Sequence, residues 1–171
     1  MATKQATTTK PAAAMPMMHM NNGKEMTSKR PLNKASNGLE PTSIDLKQDV
    51  RQSVVALLNQ QLADTFDLFS QTKQAHWNVK GKDFYQLHLL FDTLAEGLED
   101  HIDAIAERVT ALGGEAQGTV RMAASNSRLS EYIPGAADGM THVKRLVECY
   151  ATLAASTREA SKKAEIGRAH V

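Results

Sequence analysis

Between two breaks in the chain, Lys80-Gly81-Lys82-Asp83 and Gly113-Gly114, apolar residues recur at Phe84, Leu87, Phe91, Leu94, Leu98, Ile102, Ile105, Val109 and Leu112. Steps of three and four residues trace one stripe of a long α-helix, where a strand would alternate every second residue. The paired glycines supply the stop. A helix with one apolar stripe cannot bury it alone, so the rest of the chain must bring apolar faces to it.

Two further faces are present. Val50, Val54, Leu57/Leu58, Leu62, Phe66 and Phe69 predict a helix that starts from a hydroxyl cap near Pro41-Thr42-Ser43 and runs to about Val79. Asp138 is placed to cap a third, with Met140, Val143, Leu146/Val147, Tyr150 and Leu153 on its apolar side, fading through Ala154 and Ala155 to a polar end near Glu165. Residues 113–137 hold four glycines and Pro134 and read as a long connection with one short helix around 120–125. A connection of that length is expected to serve subunit contacts or pores. The class is all-α. A short first turn and a long crossover describe an antiparallel four-helix bundle, whose fourth helix is missing from this sequence.

The net charge of +1 hides an asymmetry: residues 1–43 carry six Lys/Arg against two Glu, and residues 44–171 carry fourteen against seventeen Asp/Glu. Four of the five prolines and most of the methionines also fall in 1–43, without hydrophobic periodicity, so this segment is expected to be a disordered basic tail ahead of a helical domain at 44–165. The single cysteine, Cys149, excludes an internal disulfide framework and reads as a small buried residue. The first thirty residues lack a secretory apolar core and no segment reaches the roughly 20 apolar residues of a membrane span. A cytoplasmic protein without a membrane partner is expected.

Five potential metal ligands stand on the first two long helices: His76, His88, Asp92, Asp103 and Glu107. His88/Asp92 and Asp103/Glu107 are both i, i+4 pairs, and eleven residues from Asp92 to Asp103 add little angular drift, so all four share one stripe. Yet the pairs lie about 22 Å apart along one helix, far beyond metal–ligand distances of about 2 Å. A second copy lying antiparallel across a two-fold axis between Gly97 and Leu98 would bring one chain's His88/Asp92 level with the other's Asp103/Glu107. Gly97 would permit a close approach there. His76 and His88 lie symmetrically about the turn, which puts them at one level of the hairpin. Imidazole with carboxylate suits Fe(II), so a ferrous site at an isologous interface is expected.

At this point the chain resembles a known family. Gln74-Ala75-His76-Trp77-Asn78, then His88-x-x-x-Asp92 and Asp103-x-x-x-Glu107-Arg108, ending on Leu112-Gly113-Gly114, is similar to the ferroxidase signature of the Dps proteins (DNA-binding protein from starved cells), over about residues 45–165. The resemblance implies a ferritin-like fold and a hollow dodecamer that stores iron as ferric mineral. It implies that His76, His88 and Asp92 of one subunit and Asp103 and Glu107 of its mate are the catalytic metal ligands, with hydrogen peroxide as oxidant. It also implies nucleoid association and protection of DNA. Trp77, beside His76, is placed either to intercept oxidising equivalents or to pack the helix end, and stays outside the ligand set.

Lys4, Lys10, Lys24, Lys29, Arg30 and Lys34 could neutralise DNA phosphates without reading sequence, as the lysine-bearing arms of some Dps proteins do. Met15, Met17, Met18, His19 and Met20 offer soft ligands for Cu(I), although a low-complexity tail accounts for them equally simply. Glu-Ile-Gly-Arg-Ala-His-Val at the end can be encoded by GAG ATC GGA AGA GCA CAC GTC, which resembles a widely used sequencing adapter. Residues 166–171 are therefore expected to be non-native, and His170 no ligand. Two alternatives remain at this stage. A ferritin or bacterioferritin would carry Glu-x-x-His pairs, and none occurs here. An architectural DNA-compacting protein of the same fold would have little ferroxidase activity.

Overall fold

A computed structural model describes residues 38–132, 135 and 138–169, with side chains to 165. Lys4, Lys10, Lys24, Lys29, Arg30 and Lys34, the methionine cluster and His170 lie outside the described residues. Four helices follow in order: α1 (Gln48–Asn78), α2 (Phe84–Ala111), α3 (Val120–Asn126) and α4 (Gly139–Ala169). Three are long and one short, and no strand occurs among the described residues. No described helix is long and apolar enough to cross a membrane.

Helix α1 is the central element, packed against α2, α3 and α4. The periodic residues of α2 meet it in two clusters. Phe91 and Leu98 join Leu68, Ala75 and Val79 of α1 and Leu146 and Cys149 of α4, with Leu129 of the connection. Val109 and Leu112 close on Val55 at the other end. Each fully buried side chain of this size contributes about 1.5–3 kcal/mol relative to exposure.

The C-terminal end of α2 shows why two glycines stand there. Gly113 takes φ +79°, and the amides of Gly113 and Gly114 turn back to the carbonyls of Thr110 and Val109 at 2.9 and 3.0 Å. A Cβ on Gly114 would come within 2.6 Å of Val55, so the second glycine is required by packing.

Two local expectations are corrected. No hydroxyl caps α1: Lys47 occupies the cap position without a side-chain bond, and Thr42 instead donates to the Ala111 carbonyl at 3.0 Å. Residues 38–43, grouped by composition with the tail, lie against this same end. Glu40 N–H donates to Gly113 at 2.8 Å, and Leu39, with Ile44 and Leu46 just beyond, packs on the Val55 cluster. Asp138 does cap α4, accepting from Thr141 N–H at 3.0 Å and from its hydroxyl at 2.6 Å, which holds the Asp138 carboxyl below the usual range. Helix α4 extends to Ala169, past the fading of its apolar pattern near Glu165.

The long connection is fastened to α1 by a polar stripe. Gln60, Asp64, Asp67 and Gln71 share one face of α1 at steps of three and four. Gln60 donates to the Asn126 carbonyl at 2.9 Å and Gln71 to the Ser130 carbonyl at 3.1 Å. Asp67 accepts from the Ser127 hydroxyl, and Asp64 from the Arg128 amide and guanidinium. Asn59 adds both sides of its amide, donating to the Glu115 carbonyl at 3.0 Å and accepting from Gln117 N–H at 2.9 Å.

Candidate metal centre

His76 occupies the last turn of α1 and His88 the second turn of α2, and the short turn at Gly81 (φ +103°) folds one over the other. The two imidazoles stack with centroids 3.7 Å apart and planes 22° from parallel. Each is anchored by the other's backbone: His76 Nδ1 donates to the His88 carbonyl at 2.9 Å, and His88 Nδ1 to the His76 carbonyl at 3.0 Å. A carbonyl only accepts, so each bond puts the proton of a neutral ring on Nδ1 and leaves the Nε2 lone pair for a cation. His76 is buried and His88 half-buried, with Phe84 tilted against the latter at 5.1 Å.

One turn beyond His88, Asp92 brings Oδ1 to 3.8 Å from His76 Nδ1. Its closer partner is Lys73, whose ammonium donates to Oδ1 at 2.7 Å. That hydrogen bond holds the Asp92 carboxyl below the usual range, against an opposing contribution from desolvation. Lys73 was not among the sequence-based candidates. Its spacing, one turn before His76, was the available signal. The same ammonium lies 6.0 Å from the centroid of Trp77, whose ring is exposed.

The five candidate ligands thus divide. The hairpin brings His76, His88 and Asp92 together. Asp103 and Glu107 are exposed further along α2, with Asp103 about 16 Å beyond Asp92 at 1.5 Å per residue. Among the described residues no three His, Cys, Asp or Glu side chains converge well enough to hold a metal ion within one chain.

Gly97 requires a correction. It is five residues from Asp92, hence about 140° round the helix, and it faces open space. Glu96 and Glu99, both exposed, occupy the ligand stripe at its midpoint instead.

Comparison with known proteins follows the same lines. The family described as "Ferritin-like domain" matches residues 55–170. A "DNA protection during starvation protein" of Agrobacterium fabrum is 40% identical over 119 residues, 70% of this chain and 74% of the relative. Among solved structures, DpsC from Streptomyces coelicolor aligns with a TM-score of 0.73 at 32% identity, over 76% of each chain. A Dps protein from Vibrio cholerae O1, described as a member of a superfamily of ferritin-like diiron-carboxylate proteins, aligns with a TM-score of 0.72 at 25% identity, over 79% of this chain and 84% of its own. An all-α bundle with this hairpin, this match and these relatives belongs to the Dps family of ferritin-like proteins.

Proposed function

We propose that this protein takes up Fe(II), oxidises it with hydrogen peroxide and stores the ferric product, at a site completed by a second copy of the chain. The observation that carries this reading is the His76–His88 clasp: two imidazoles locked with Nε2 unengaged, next to a carboxylate held in its charged form. Buried histidines placed only for packing have no need of reciprocal anchors that fix one tautomer. Nitrogen with carboxylate oxygen suits ferrous iron, and carboxylates tolerate the change to ferric.

Three donors from one chain leave positions to fill, and exposed Asp103 and Glu107 on the same face of α2 are the groups an antiparallel mate would present. Such a contact is isologous, so every two-fold interface makes two sites. Two Fe(II) then deliver two electrons to one peroxide, giving two Fe(III) and two hydroxides without releasing hydroxyl radical. Removal of both reactants protects nearby DNA. The lysines of the N-terminal arm would add sequence-independent contact with it. By family resemblance the closed assembly is a dodecamer around a mineral-filled cavity.

Co-assembly tests the shared site. His88→Ala and Asp103→Ala chains should each be inactive in peroxide-driven Fe(II) oxidation followed by ferric absorbance. Refolded together they should regain activity, because mixed dimers contain one intact site made of His76, His88 and Asp92 from the Asp103→Ala chain and Asp103 and Glu107 from the His88→Ala chain. No recovery in demonstrably mixed assemblies sinks the reading.

A further inference from the structure

Away from the iron site, the start of α4 holds a histidine with no role in the chemistry above. His142 is 1% exposed, and the Tyr132 hydroxyl is hydrogen-bonded to its Nδ1, while its Nε2 has no partner among the described residues. The Tyr132 and His142 rings lie 20° from parallel, and Phe91, the neighbour of Asp92, meets the imidazole edge-on with centroids 6.4 Å apart. Tyr132 also faces a groove between α1 and the connection, and Trp77 lines the same groove. A phenol bonded to an imidazole can lose an electron and its proton together, and an exposed indole next to a metal ligand is placed to be oxidised first.

We propose that Tyr132 and His142 form a proton-coupled electron donor that, entered through Trp77, drains the one-electron oxidant made when peroxide meets a single Fe(II). This rests on the iron-oxidising function proposed above. One Fe(II) and hydrogen peroxide give Fe(III), hydroxide and a hydroxyl radical. Trp77 reduces the radical to hydroxide and becomes an indole radical cation. Tyr132 returns that electron to Trp77, and the phenolic proton moves to His142 Nδ1. A second Fe(II) reduces the tyrosyl radical, and the proton goes back to oxygen. The sum is two Fe(II) and one peroxide to two Fe(III) and two hydroxides, the same balance as at a filled pair of sites. The relay therefore serves assemblies in which iron is scarce.

Burial pushes the Tyr132 phenol up, against a smaller lowering by Arg145, so the hydroxyl keeps its proton at neutral pH until it is oxidised. Tyr85, by contrast, is exposed on α2, and the Tyr150 hydroxyl has no imidazole partner.

The test is freeze-quench electron paramagnetic resonance of the full chain with less iron than sites, mixed with peroxide. A tyrosyl signal, narrowed by ring-deuterated tyrosine, is expected in wild type and in Tyr85→Phe and is lost in Tyr132→Phe. His142→Gln should slow its formation and remove its solvent deuterium effect, which a purely structural role would not do. A parallel measurement on iron-free protein uses photogenerated tris-bipyridyl ruthenium(III) as oxidant, and needs no variant to show whether a tyrosine is oxidised. Persistence of the signal in Tyr132→Phe, or its absence from wild type under iron and peroxide, overturns the relay. If iron is oxidised normally without a tyrosyl, the relay alone fails. If no iron is oxidised, the proposed function fails with it.

Discussion

Lys73 and a metal ion compete for the same oxygen of Asp92. The ammonium hydrogen bond keeps that carboxyl below the usual range, so the charge available to a cation persists into more acid solution than an ordinary aspartate allows. The sign follows from the depressed value: the favourable Lys73–Asp92 interaction is complete above the unfolded aspartate value and is lost as pH falls through the lower folded one. In Lys73→Met the Asp92 titration, followed by carboxyl carbon NMR, should move up towards the ordinary value. The same variant should bind Co(II), a redox-silent substitute for Fe(II), more tightly, on the order of fivefold to tenfold for the removal of one adjacent cation, read by calorimetry. Unchanged Co(II) affinity would show that the ammonium does not oppose the metal. At this scale the ligands were legible, because i, i+4 spacing and symmetry about a turn survive translation from sequence to helix. The carbonyl clasp on each Nδ1 was not, since it depends on how closely α1 and α2 cross. Gly97 misled because position in the chain was taken for position on the face.

The connection between α2 and α4 is held by side chains that look, in sequence, like a solvent face. Gln60, Asp64, Asp67 and Gln71 repeat at helical spacing and are polar, the usual mark of exposure. Asp64 is nevertheless 1% exposed and answers both the amide and the guanidinium of Arg128. Asp64→Ala leaves a backbone N–H without an acceptor and is expected to cost about 2–3 kcal/mol in chemical denaturation, whereas Asp64→Asn, which can still accept, should cost less. Gly114→Ala forces a methyl against Val55 and should cost about 1–3 kcal/mol by overpacking. A cost near zero for either would mean that the connection or the α2 terminus rearranges freely. Helix α3 and the extent of the loop were readable from residue type. Their attachment to α1 was not, because a polar stripe has the same pattern whether water or another segment satisfies it.

Across the whole molecule, α1 is covered on several sides while α2 and α4 keep apolar residues outside the core. Leu90 of α2 is 47% exposed, and Met140 and Val147 of α4 are each 60% exposed. The periodicity of α2 and α4 predicted a bundle needing one more helix, and these residues mark the uncovered sides. In a chain on its own, Leu90→Ser with Val147→Thr removes surface that contacts only water. The double variant should therefore keep its unfolding free energy within about 0.5 kcal/mol, since substitutions away from packed groups have small effects. It should also lower concentration-dependent light scattering, because a smaller apolar patch offers less for another molecule to bury. A covering partner reverses the first expectation: if another chain buries Leu90 and Val147, replacing both should cost about 2 kcal/mol or more, at the transfer value of an aliphatic side chain. The loss should then grow as the protein is diluted, because the partner is supplied by association. Thermal unfolding of wild type and double variant over a range of concentrations separates the two cases, and a destabilisation that does not change with dilution would contradict both, placing these side chains inside the fold of a single chain.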